Sequence, residues 1–132
     1  MADSEPHRDL RGADLAGADL RGEGLRFGLL FDANLSEANL TGADLTGARL
    51  SGANLTWADL TRADLTDAYL TGANLSYANL TQANLYFADL TSANLTGANL
   101  TGANLYFASL GDVTWGNTTC PNGQPTNSGC AT

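Results

Sequence analysis

Ala93-Asn94-Leu95-Thr96-Gly97 is followed at once by Ala98-Asn99-Leu100-Thr101-Gly102, and these two pentapeptides decide the fold. Leucine recurs at every fifth position from Leu10 to Leu110, twenty-one times without a gap. Two residues before it stands alanine, in an unbroken series of sixteen from Ala33 to Ala108, with Ala13 and Ala18 earlier. Between the two lies usually Asn or Asp, and after the leucine usually Thr or Ser. A period of five fits neither the 3.6 of an α-helix nor the 2 of a long strand. On a helix these leucines would drift around the whole circumference and bury nothing coherently. Ala and Leu two apart share one face of a short extended segment. The Thr-Gly pair then turns the chain, because glycine tolerates the positive φ that several turn types require. Such units bury their leucines only by closing into a stacked solenoid, in which each coil pairs its backbone with the coils above and below.

The tandem A-(D/N)-L-x-x pattern, seen in Ala13-Asp14-Leu15, Ala58-Asp59-Leu60 and Ala103-Asn104-Leu105, resembles that of pentapeptide-repeat proteins over about residues 8–112. The resemblance implies an all-β fold, a right-handed quadrilateral β-helix of about five coils with four pentapeptides per coil and the leucines and small residues inward. The number four comes from the resemblance and not from the period. The chain then divides into an N-terminal tail (1–7), the β-helix (8–112) and a C-terminal cap (113–132). Coils about 4.8 Å apart give a rod of roughly 25–28 Å.

With twenty residues per coil, positions twenty apart stack. Asn34, Asn54, Asn74 and Asn94 continue the column that Asp14 begins, which predicts amide-to-amide hydrogen bonds along the rod. Tyr86-Phe87 and Tyr106-Phe107 stack late on one corner, and Trp57 and Tyr77 mark another. These aromatics are the candidate interaction surface, with local ring packing as the alternative. The pattern breaks between Glu23 and Phe31. Glu23 falls on an inward position, where an unpaired buried carboxylate is costly. Lying near the open end, it is expected to be wet or paired with an arginine such as Arg8 or Arg26.

After Leu110 the phase persists in Val113, at the small inward position, and in Trp115, at the leucine position; both can plug the core. Cys120 keeps the phase too, and a run of turn residues separates it from Cys130. A Cys120–Cys130 disulfide is the simplest reading, with free thiols and metal binding left open. A disulfide suggests an oxidising compartment. Yet Met1-Ala2-Asp3-Ser4-Glu5-Pro6-His7 is polar and acidic, unlike a signal peptide. No apolar run approaches the ~20 residues of a membrane helix. As written the chain reads as cytoplasmic; an exported protein whose leader had been removed would read the same.

The formal charge is −8, from fourteen acids against six arginines and no lysine. All the arginines lie in the first half, and Asp64, Asp67, Asp89 and Asp112 stand without a cation in residues 63–132. Such a surface disfavours direct binding to nucleic acid and to anionic lipid. Catalysis is disfavoured by inventory: one histidine, no lysine, cysteines confined to the cap, and no Gly-rich loop opening a helix. No catalytic, cofactor or metal site is expected. The expected function is a non-enzymatic structural or protein-binding solenoid, a monomer by default, whose partner the residues do not name. The alternative implied by the resemblance is DNA mimicry directed at DNA gyrase or topoisomerase IV, of the quinolone-resistance type. Magnitude opposes it: duplex DNA carries about one charge per 1.7 Å, so a ~27 Å rod needs roughly sixteen. Templating of ice by the regular Asn/Thr array is a weaker reading still, because any regular repeat of this type produces such an array.

Overall fold

The computed structural model describes residues 7–132, so the expected tail lies outside the described residues apart from His7. Its organisation follows from where each pentapeptide sends its five N–H groups. In Ala38–Gly42, Ala38 donates to the Leu35 carbonyl (3.1 Å), closing a four-residue turn. Asn39 donates to Ala18 in the preceding coil (2.9 Å), while Leu40 and Gly42 donate to Asp59 and Thr61 in the next (2.7 and 2.9 Å). The Thr41 N–H donates to the Asn39 side-chain oxygen (3.1 Å). All five donors are paired, as a segment without helix or continuous strand requires.

The coil-to-coil bonds form parallel bridges between residues twenty apart, from Asp9↔Leu29 to Asn99↔Thr119. Bridging therefore runs past residue 112, to Thr114 and Thr119. No described residue is helical, so no helix is long and apolar enough to cross a membrane. Inside the rod every fifth leucine from Leu25 to Leu105 and every fifth alanine from Ala33 to Ala103 are buried. The leucine fills the core, and alanine is the small partner that lets opposing faces close around it.

One expectation is corrected. The asparagines do not mainly ladder along the rod. Every Asn or Asp at the outward position from Asn34 to Asn104 accepts the backbone N–H two residues on, within its own repeat. In most repeats the Thr or Ser hydroxyl donates to the same oxygen, as Thr41 does to Asn39 (2.6 Å). Asparagine amides donate between coils only at Asn34→Asp14 and Asn104→Asn84, both at 3.3 Å, among the described residues. The turn's orphan N–H is nearer than the next amide, and pairing it satisfies a group that is otherwise left to water.

Both ends match expectation. Glu23 pairs with Arg8 at 3.3 Å, and both side chains stay partly exposed. At the other end Val113 and Trp115 pack, partly buried, on the core. The buried Thr118 hydroxyl donates to the Leu95 carbonyl (2.7 Å). Two short antiparallel strands, β1 (Thr118–Thr119) and β2 (Pro125–Thr126), form a hairpin. The Cys120–Cys130 disulfide ties it, with Cα atoms 5.3 Å apart.

Leu60→Ala, in the middle of the core, is expected to cost about 2–5 kcal/mol, seen as a lower urea midpoint. Replacing Cys120 and Cys130 together by serine is expected to remove about 2–3 kcal/mol through lost loop constraint, measured by thermal unfolding with and without reductant.

Candidate functional site

The side chains that leave the rod most freely are those at its corners. The four-residue turn Leu35–Ala38 has its third residue, Glu37, at φ 59°, positive as a type II turn requires there. Glycine takes this position at Gly42, Gly47, Gly72, Gly97 and elsewhere. Phe27, Trp57, Tyr77, Phe87 and Phe107 occupy it with φ between 54° and 61°. A left-handed conformation costs an L-residue roughly 1–2 kcal/mol relative to glycine. Each corner aromatic therefore sits against the backbone's own preference.

Part of that cost is offset by contacts between rings twenty residues apart. Trp57 and Tyr77 stack with centroids 4.8 Å apart and planes 14° from parallel. Phe87 and Phe107 stack at 5.1 Å and 17°. Tyr86 meets both edge-on, at 4.6 Å from Phe87 and 5.9 Å from Phe107, and Tyr106 lies 6.5 Å from Phe107. The structure thus gathers Tyr86, Phe87, Tyr106 and Phe107 into one cluster. Trp57 and Tyr77 form a separate pair, ten residues out of phase and so half a coil away. Packing does not hide the cluster: Tyr106 and Phe107 remain 64% and 67% exposed.

Beside this corner lies a feature that the sequence reading did not single out. A cavity of about 470 Å³ opens along the outward column containing Leu29, Arg49, Tyr69 and Asp89. Phe27 and Phe87 wall its two ends, and Gly47 and Asp67 stand between them on the corner column. Phe27 rests on His7 (5.4 Å) and lies across Gly47, so close that a Cβ there would come within 2.4 Å of its ring. The Arg49 guanidinium sits over the Tyr69 ring at 5.5 Å. Asp89 keeps the ordinary acceptor role of its position, and the Thr91 hydroxyl and N–H hold its carboxyl below the usual range. A reading of the outward residues in steps of twenty would have exposed the column, since Leu29, Arg49 and Tyr69 interrupt the Asn/Asp rule in three successive coils. The arrangement offers contact surface and charge. Among the described residues no three His, Cys, Asp or Glu side chains converge as a metal site, and both cysteines are oxidised.

The sequence model of a family described as pentapeptide repeats matches the chain in 8 copies, over residues 29–67, 68–105 and 78–114. That is more than half of the chain. A pentapeptide repeat protein of known structure from the cyanobacterium Cyanothece 51142 is 48% identical, with a TM-score of 0.64 over 64% of this chain and 58% of its own. The chain thus spans little more than half the length of that relative. HetL, a pentapeptide repeat protein involved in heterocyst differentiation regulation in Nostoc sp. strain PCC 7120, is 32% identical, with a TM-score of 0.42 over 89% of this chain and 66% of its own. QnrB1, a plasmid-mediated fluoroquinolone resistance protein, is 23% identical, with a TM-score of 0.37 over 72% of this chain and 59% of its own. The last two superpose too loosely to transfer a role. No curated protein matches the chain in sequence.

A double-mutant cycle of Trp57→Gly and Tyr77→Gly checks the corner energetics. Each single change is expected to be nearly neutral, because backbone strain is relieved as stacking is lost. The coupling between the two is expected at about 0.5–1.5 kcal/mol, measured by chemical denaturation.

Proposed function

This chain belongs to the pentapeptide-repeat family, a right-handed β-helix solenoid, and on that premise we propose that it is a non-enzymatic module that binds a protein partner. The observation that carries the reading is the exposed cluster of Tyr86, Phe87, Tyr106 and Phe107. The fold does not require rings there, since threonine or serine elsewhere takes the position of Tyr86 and Tyr106, and glycine takes that of Phe87 and Phe107 at lower backbone cost. Tyrosine and phenylalanine lose little side-chain freedom on binding and bring large contact areas, which is why aromatic anchors dominate interfaces. Trp57 and Tyr77 are a second, smaller contact point of the same kind.

The finer geometry is read in the same way. Four turns fall between a residue and its bridge partner twenty positions on, which supports a four-sided coil and a rod of about five coils. We take residues 8–112 as the rod and 113–132 as its cap, with the disulfide holding the cap closed. That disulfide also supports an oxidising compartment over the cytoplasm. The charge of −8 favours a protein partner over nucleic acid or an anionic membrane.

Replacing Tyr86, Phe87, Tyr106 and Phe107 together by Thr, Gly, Thr and Gly returns the corner to repeat residues while leaving the core untouched. In a pull-down from the source cell, the partner captured by the native chain is expected to be lost with this variant. Equal capture by both proteins would remove the corner as the contact.

A further inference from the structure

Three of the four outward columns are built from Asn and Asp, with threonine or glycine only at their ends. The fourth reads Asp9, Leu29, Arg49, Tyr69, Asp89, Ser109. At Leu29, Arg49 and Tyr69 the N–H groups of Phe31, Ser51 and Thr71 lose the side-chain acceptor that every other interior repeat supplies. A local rule is broken in three consecutive coils without any gain to the core. Such breaks mark function more often than folding.

What the column holds identifies the chemistry. Arg8, Arg11, Arg21 and Arg26 are each ion-paired, and Arg62 donates to Gln82. Among the described residues the Arg49 side chain has neither an ion pair nor a hydrogen bond, and its contact is the face of Tyr69. In a chain of net charge −8, this is, among the described residues, the guanidinium without any side-chain acceptor. Stacking on Tyr69 limits its motion, and a planar fork suits two-point bonding to a carboxylate. Phe27 and Phe87 stand at the two ends of the cavity, with no ring between them on the corner column.

We propose that this groove binds the α-carboxylate of an aromatic amino acid, either free or at the end of a polypeptide. Arg49 takes the carboxylate, and the ring lies between Phe27 and Phe87 against Tyr69. Asp67 and Asp89, which also line the groove, are acceptors for the amide N–H or ammonium beside such a carboxylate. They disfavour a phosphate, whose greater negative charge they repel more strongly. The inference rests on the reading of the rod as a binding module and names a ligand at one face of it.

The test uses the full chain, titrated with N-acetyl-phenylalanine, with a peptide ending in Phe, and with the C-terminal amides of both, followed by amide NMR shifts. Saturable shifts around Ala68 and Tyr69 are expected from the free acids in the low-millimolar range or below, with the amides at least about tenfold weaker. Tighter binding of the peptide acid identifies a chain terminus as the ligand; equal binding identifies the small acid. Arg49→Asn restores the acceptor used elsewhere in the repeat, so this variant is expected to melt no lower than the native chain while its affinity falls at least about tenfold. Amides that bind as well as acids, shifts outside the groove, or undiminished binding by Arg49→Asn would overturn the proposal, as would the absence of any saturable shift. The native Phe107 corner is untouched in this variant. Absence of ligand binding by the native chain, with its partner still captured, would therefore sink the groove alone, and saturable ligand binding by the native chain, with capture undiminished by replacing only Tyr106 and Phe107, would sink the corner alone.

Discussion

The structure depends on one hydrogen bond repeated along the rod, from each repeat leucine N–H between Leu10 and Leu100 to the carbonyl of the outward residue nineteen positions on. Leu35 to Asn54, Leu55 to Asn74 and Leu75 to Asn94 are members of one such line, at 2.7–2.8 Å. With its reciprocal bond, such as Asn54 to Ala33 at 2.9 Å, it fixes the register at twenty residues. Register then places leucine over leucine and alanine over alanine. A slip of one residue would turn every leucine outward, so the hydrogen bonds and the core enforce the same alignment.

That economy leaves the repeat only one N–H without a backbone partner, the one following leucine. The side-chain oxygen of Asn or Asp supplies it locally. This explains why the position between alanine and leucine is so uniform even though it faces water. It also explains why Asn and Asp interchange freely there: the turn uses only an oxygen acceptor, which both possess. Where the acceptor is replaced, as at Leu29, Arg49 and Tyr69, the molecule has traded a satisfied turn for surface chemistry.

The corners are the other place where composition is free. A turn residue at positive φ points away from the core, so its identity affects neither register nor leucine packing. Glycine is the least strained choice, and aspartate, glutamine and arginine also occur there. Rings at this position depend on one another across a coil step, which explains why they come in pairs such as Trp57 with Tyr77 and Phe87 with Phe107. Stacked rings keep an exposed face and form a firm, apolar contact surface.

Much of the fold was legible in the residues alone, because a strict period of five with an inward leucine admits few closed forms. The ends were legible for the same reason: Glu23 broke the rule where Arg8 could meet it, and Trp115 kept the phase where a plug was needed. The aromatic pairs could be read once twenty residues made a coil. What sequence reading misjudged was the asparagine. Both the ladder and the turn satisfy an amide, and only the placement of Thr41 against Asn39 decides which donor is nearer. The groove was likewise a matter for tertiary structure. Leu29, Arg49 and Tyr69 are far apart in the chain and unremarkable singly. They become one surface when three coils stack, and Phe27, folded across Gly47, walls the cavity beside them. Periodicity determines what is buried, since burial follows from the repeat. Exposed side chains are arranged by neighbours twenty and forty residues away, and only the folded rod brings these together.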